Sequence, residues 1–189
     1  MVLDVITEAI VLDKEDIGEA DSRVFLYTKN YGKIIAKATS SRKITSKLAA
    51  YLEPLSYINV RLVARGDGIF DLRNSQLVDA LLIGESVKWA GEEEKLKNAL
   101  RVSYFISRSI PKEAADADLW DFLLRVCVNK QDISLKKTLD FLGFGRNHAS
   151  CEICASLVIE YFYPINNSFV CRNCVSTAPM FKKEFIKLI

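Results

Sequence analysis

A chain of 189 residues that is half apolar and 26% charged, with eight glycines and four prolines, excludes collagen-like, mucin-like and wholly disordered proteins. Its 26 lysines and arginines against 24 acids leave a net charge of +2, too small to argue for a polyanionic partner from the total. No run approaches the length of a membrane-spanning apolar helix, and Asp4 stands where a secretory signal carries a base, so a cytoplasmic globular protein of one or two domains is expected.

Short apolar runs rich in β-branched and aromatic residues predict five strands, at Ile6–Leu12, Val24–Tyr27, Ile34–Ala38, Leu55–Val63 and Ile69–Leu77. Turn chemistry separates them at Ile17-Gly18-Glu19-Ala20-Asp21, Asn30-Tyr31-Gly32 and Arg65-Gly66-Asp67-Gly68. Between the third and fourth strands, Ser46–Leu52 reads as a helical turn stopped by Pro54. Five strands with a helix after the third match a Greek-key OB-fold barrel over residues 1–79.

Beyond Asp79 the apolar period changes from two to 3.6. Glu92, Glu93 and Glu94 suit the start of a helix with the stripe Leu96, Ala99, Leu100, Ser103, Ile106 and Ile110, ended by Pro111. A second helix over 117–128 is apolar nearly all round and reads as buried, with Cys127 a small core residue. A third, capped by Asp132 and closed by Gly143, carries Leu135, Leu139 and Leu142. The class is therefore α+β: an N-terminal OB barrel followed by an α-helical domain over 80–189 with an inserted zinc ribbon at about 148–176.

That ribbon rests on Cys151-Glu152-Ile153-Cys154 and Cys171-Arg172-Asn173-Cys174, separated by residues 155–170. Two residues between cysteines let one knuckle aim both sulfurs at one ion, and two knuckles complete a tetrahedron of thiolates. Leu157, Ile159, Tyr161 and Tyr163 alternate toward an Asn166-Asn167-Ser168 turn, giving the hairpin between them. Four protein ligands leave no open coordination position, so the expected cofactor is a structural Zn²⁺. Two disulfides are disfavoured in a reducing compartment, and iron would use the same ligand set. His148, the sole histidine, reads as a surface loop residue.

Charge is unevenly placed. Met1–Asp21 holds seven acids and one base, Lys14, whereas Ser22–Gly66 holds nine bases and one acid, Glu53. Strand alternation puts Arg23, Phe25, Tyr27 and Lys29 on one face of the second strand and Lys33, Ile35 and Lys37 on one face of the third. The loop 39–47 adds Arg42, Lys43 and Lys47 with no acid. Bases interleaved with aromatics are how OB barrels hold single strands. The competing expectation is a solvated face whose aromatics pack beneath another domain. The acidic first loop, Asp16–Asp21, should repel phosphate and shift binding toward the third strand and the loop after it.

The stretches Glu8-Ala9-Ile10-Val11-Leu12, Gly18-Glu19-Ala20-Asp21 and Tyr31-Gly32-Lys33-Ile34 closely resemble those of the bacterial RecO family. So do Arg42-Lys43, Ser46-Lys47-Leu48, Leu52-Glu53-Pro54-Leu55 and the Arg65–Gly68 turn, in the same order, and the paired cysteines fall where that family often has them. The resemblance implies a nucleoid-associated DNA repair and recombination mediator. Such a protein binds single- and double-stranded DNA, anneals complementary strands and, with RecR, helps load RecA on DNA coated by the single-stranded DNA-binding protein, SSB. It carries the family's basic positions onto Lys37, Arg42, Lys43 and Lys47. Relatives usually continue through further helices where this chain has Pro179–Ile189, so whether the SSB-tail pocket those helices build is retained stays open.

Enzymatic readings find no support. Gly32-Lys33 lacks the earlier glycine of a phosphate loop, Gly66 and Gly68 do not extend to a dinucleotide fingerprint, and one histidine leaves no triad. A protein-interaction adaptor and an RNA-binding OB plus zinc-ribbon protein stay open beside the DNA-binding reading.

Overall fold

A computed structural model describes residues 2–65, 75–84, 89–111, 115–145, 149–164, 166–177 and 185–188. They fall into two compact units, Met1–Asp132 and Ile133–Ile189.

The first unit is built on a closed five-stranded barrel in the order β1-β2-β3-β5-β4. Strand β1 (Val2–Ile17) is much longer than its apolar run, because its charged second half still pairs with β2 (Asp21–Thr28) while its first half pairs with β4 (Tyr57–Arg65). A register shift between Val11 and Asp13 bends it between the two partners. Strand β3 (Gly32–Ala38) joins β2 through a hairpin in which Gly32 takes φ +66 and the Thr28 hydroxyl donates to its carbonyl at 2.9 Å. Strand β5 (Ser75–Leu82) extends past the expected end at Leu77 and closes the barrel by parallel pairing with β3, Ala36 opposite Ser75. The expected start of that strand and the Arg65–Gly68 turn fall at 66–74, outside the described residues.

Alternation placed the barrel interior correctly: Val24, Leu26, Ile34, Ala36 and Ala38 join Val60, Leu62, Leu77 and Ala80 in one buried cluster. The segment Ser46–Leu52 forms turns instead of the expected helical segment, held by Tyr51 N–H donating to Leu48 O at 3.0 Å. So short a stretch gains little from helix nucleation, and its role is met by Leu52, fully buried in the barrel core.

Helix α1 (Glu93–Ser109) buries Ala99, Val102, Ser103, Phe105 and Ile106. Its buried stripe is rotated from the expected one, so that Leu100 and Tyr104 face solvent. The rotation is set by the barrel, where Ser103 Oγ donates to the Leu12 carbonyl at 2.5 Å. Helix α2 (Ala117–Leu123) is capped by Asp116, whose carboxylate accepts from Leu119 N–H at 3.0 Å, and continues as a π-helical turn over Leu124–Val128. Cys127 is wholly buried there and burial pushes its thiol up to about 12, which leaves it inert.

The second unit opens with α3 (Leu135–Phe141), capped by Ser134 in place of the expected Asp132, which bonds Asn98. A three-stranded sheet follows in the order β7-β6-β8, from β6 (Tyr161–Tyr163), β7 (Ser168–Val170) and β8 (Ile186–Lys187), with α4 (Arg172–Thr177) after β7. Phe162 is fully buried there, with Phe144 and Phe169 edge-on to its ring at 5.4 and 5.2 Å.

Candidate nucleic-acid interface and metal centre

The loop after β3 is fixed at its base. The Arg42 amide donates to Ala20 O at 3.0 Å, the Ser40 amide to Asp21 Oδ1 at 2.8 Å, and Ser41 Oγ lies 2.9 Å from Ser22 Oγ in a buried pair. The acidic first turn is thus the mount on which the basic loop stands. Toward the tip, Lys43 N–H donates to Ser40 O and Ser46 N–H to Lys43 O, so 43–46 is a tight turn.

Five of the six predicted basic site residues are exposed or half-exposed, in two groups. Arg23 and Lys37 face each other across the β2–β3 ladder. Each also has a carboxylate partner, Glu15 at 3.4 Å for Arg23 and Asp21 at 2.8 Å for Lys37. Arg42 reaches Asp16 at 3.2 Å and the Gly18 carbonyl at 3.0 Å. Hydrogen bonds from Lys37 and the Ser40 amide hold the Asp21 carboxyl below the usual carboxylate range. Among the described residues, no carboxylate lies within ion-pair distance of Lys43 or Lys47, and both are exposed. Exposed ion pairs are worth little and exchange readily with phosphate. The acids of the first turn and its flank therefore temper Arg23, Lys37 and Arg42, and Asp21 also acts through space on Lys43, while Lys43 and Lys47 keep no direct ion-pair partner among the described residues.

Lys33 is the exception, and its expected place on an open cationic face is corrected. It is 6% exposed and its ammonium donates to Ser107 O at 3.0 Å. The aromatics beside it are covered too. The Arg108 guanidinium lies 4.5 Å from the Phe25 ring centre, and Tyr27 is fully buried with its hydroxyl against the Asp116 backbone. Arg108 also binds Asp13 at 2.8 Å and Glu15 at 2.5 Å. The outer face of β2 and β3 is thus partly a packing surface for the helices that follow the barrel. Ser107, Arg108 and Asp116 are too far along the chain for strand alternation to reveal this.

In the second unit the ligand atoms of Cys151, Cys154, Cys171 and Cys174 all lie within 4.8 Å of one another, and Cys154 Sγ is 3.6 Å from Cys171 Sγ. A tetrahedron with Zn–S near 2.3 Å sets its sulfurs about 3.8 Å apart, so the cluster fits one such ion. All four cysteines are free thiols, and a 3.6 Å separation is far beyond a disulfide bond. Each knuckle is closed by its own backbone bond, Ala155 N–H to Cys151 O at 2.8 Å and Val175 N–H to Cys171 O at 3.1 Å. Burial works against a Cys151 thiolate, but amides of Cys171, Cys154 and Ile153 outweigh it and bring the thiol down to about 6. Hydrogen bonding to Cys154, with burial and the Cys151 charge, pushes Cys174 up to about 12. A thiolate at Cys151 thus stands beside a Cys154 and a Cys174 that are held protonated, and a divalent cation would favour thiolates at all the ligands it binds. His148 lies outside the described residues.

A family model described as the N-terminal part of recombination protein O matches residues 1–81. A DNA repair protein RecO of Dehalococcoides mccartyi is 32% identical over 184 residues, 90% of this chain and 70% of its own. One from Thermodesulfovibrio yellowstonii is 30% identical over 181 residues with the same coverage. The chain belongs to the RecO family. A Bacillus pumilus relative of the same name, 27% identical over 188 residues, extends the likeness to 92% of this chain. The matches run through both units, so the barrel loop and the cysteine cluster both belong to a member of a family of DNA repair proteins. No helix among the described residues is long and apolar enough to cross a membrane.

Proposed function

We propose that this RecO-family chain is a recombination mediator that acts without covalent chemistry. In this reading the OB barrel, residues 1–79, holds single- and double-stranded DNA through the β3 edge and the loop after it. Lys43 and Lys47 make the leading phosphate contacts, and Lys37, Arg42 and Arg23 are recruited as phosphate displaces their carboxylate partners. Lys33 serves the fold. Cations spaced along a fixed loop neutralise two strands' phosphates together, which favours annealing of complementary strands. By family membership the physiological substrate is DNA coated by SSB, on which the protein works with RecR toward RecA loading. The Cys151, Cys154, Cys171 and Cys174 cluster holds a structural Zn²⁺, whose binding contributes folding free energy to the second unit.

The observation that carries this reading is the acid-free loop tip, with Lys43 and Lys47 exposed on a hydrogen-bonded mount. An annealing assay with complementary oligonucleotides, bare and SSB-coated, tests it. Acceleration of pairing on both substrates is expected, and no acceleration on either would refute it. An RNA oligomer in competition separates DNA from RNA preference, since only RNA offers a 2′-hydroxyl.

A further inference from the structure

The tip of the basic loop carries a residue that electrostatics does not account for. Ile44 is 105% exposed, the highest value among the exposed large hydrophobics of the described residues. It occupies the second position of the turn whose ends are joined by the Ser46 amide and the Lys43 carbonyl at 2.8 Å. Its loop neighbours are Ser40, Ser41, Arg42, Lys43, Thr45, Ser46 and Lys47, all polar and none acidic. A single exposed aliphatic side chain is ordinary on a protein surface. What sets Ile44 apart is its apical place, with cations on both sides and a base clamped by the Arg42–Ala20, Ser40–Asp21 and Ser41–Ser22 bonds. The fold gains no packing from this side chain, while the clamp keeps it pointed outward at a fixed height among the charges.

We propose that Ile44 is a wedge that enters the base stack of a DNA strand held by Arg42, Lys43 and Lys47. This rests on the loop being the nucleic-acid interface. Apolar side chains inserted between base steps are a known means of unstacking nucleic acid, and the cost of unstacking is met by phosphate contacts beside the wedge. Three cations in the same short loop supply those contacts, and their charge complements a polyanion. A bilayer is the less fitting occupant, because one aliphatic side chain buries too little apolar area to anchor in it. For a strand-annealing protein the consequence is direct: a base separated from its neighbours presents its pairing edge to a second strand.

The test uses the full chain and a single-stranded oligonucleotide carrying 2-aminopurine, whose fluorescence is quenched by stacking. Binding of the unaltered protein should brighten the probe. Ile44→Ala should abolish the brightening and weaken binding on the order of five- to tenfold, through loss of apolar contact. It should leave the slope of log affinity against log salt unchanged, since that slope counts phosphate contacts. Ile44→Phe should keep the brightening. Being fully exposed, Ile44 is replaceable without loss of fold. An Ile44→Ala protein that brightens the probe and binds as tightly as the parent overturns the wedge while leaving the DNA-binding reading intact. The wedge is overturned in the same way if Ile44→Ala loses only binding to anionic vesicles. Failure of the unaltered protein to bind the oligonucleotide at all overturns both.

Discussion

The Lys37 ammonium lies 2.8 Å from the Asp21 carboxylate, at the point where β2 begins and β3 is about to enter the basic loop. A phosphate must displace Asp21 to use Lys37. Asp21→Asn keeps the acceptor for the Ser40 amide and removes the competing charge. Single-strand affinity should therefore rise about threefold at low ionic strength, with the gain vanishing as salt screens it. A titration at two salt concentrations checks this, and an unchanged or weakened affinity would show that Lys37 takes no part.

Lys43 and Lys47 have no such competitor within ion-pair distance among the described residues. Replacing both by Glu should lower single-strand affinity at least about tenfold and flatten the log-log salt slope by about 1.4, from about 0.7 per single-strand phosphate. Exposed charges away from caps and core move stability by no more than about 0.5 kcal/mol. Parallel salt titrations and thermal melts separate lost binding from lost folding.

Lys33 should behave in the opposite way. Lys33→Met removes a charged donor from the buried Ser107 carbonyl, a change that costs about 1–3 kcal/mol. The denaturant midpoint should fall while the salt slope of the remaining folded protein stays at its parent value. A flattened slope with unchanged stability would return Lys33 to the phosphate-binding set.

The contrast between Lys33 and Lys37 shows what a sequence pattern resolves. Both alternate outward from β3, and alternation named their face correctly, as it did for Val24, Leu26, Ile34 and Ala36 on the inner face. Whether an outward face meets solvent is decided by distant chain, here Ser107 over Lys33 and Asp116 at Tyr27, which no local period encodes. Likewise, repetition of CxxC made the thiolate cluster legible, because two-residue spacing nearly dictates knuckle geometry. The carboxylate partners of Arg23, Lys37 and Arg42 were not legible as partners. They lie on the first turn and its flanking strands, and only the barrel's register brings Asp16, Glu15 and Asp21 beside the basic loop and β3.

For the cysteine cluster, the expected consequence of zinc removal is local. Metal binding of this kind is worth on the order of 10 kcal/mol of folding free energy, so chelation or Cys151→Ser should deprotect amides in Ile133–Ile189 and spare the barrel amides. Hydrogen exchange with metal analysis reads both. Full protection of β6 and β7 in zinc-free protein would reject a structural ion.

Tyr57 supplies a pH test of the barrel itself. Its hydroxyl donates to Glu8 Oε2, and Glu8 also accepts from Lys29 at 2.8 Å. Burial, with the Glu8 hydrogen bond and charge, pushes the phenol from 10.0 up to about 12. Folding thus favours the protonated phenol. The stabilisation is fully present below the unfolded value near 10 and is lost as pH rises through about 12. Partial solvent access reduces its size to about 1 kcal/mol. Trp120, edge-on to the Tyr57 ring at 6.1 Å, offers a nearby fluorescence reporter. Denaturation curves from pH 9 upward should show stability falling through this window in the parent protein, and less steeply in Tyr57→Phe, which has no phenol to ionise. Equal slopes for the two proteins would mean that neither burial nor Glu8 raises the phenol in the folded protein.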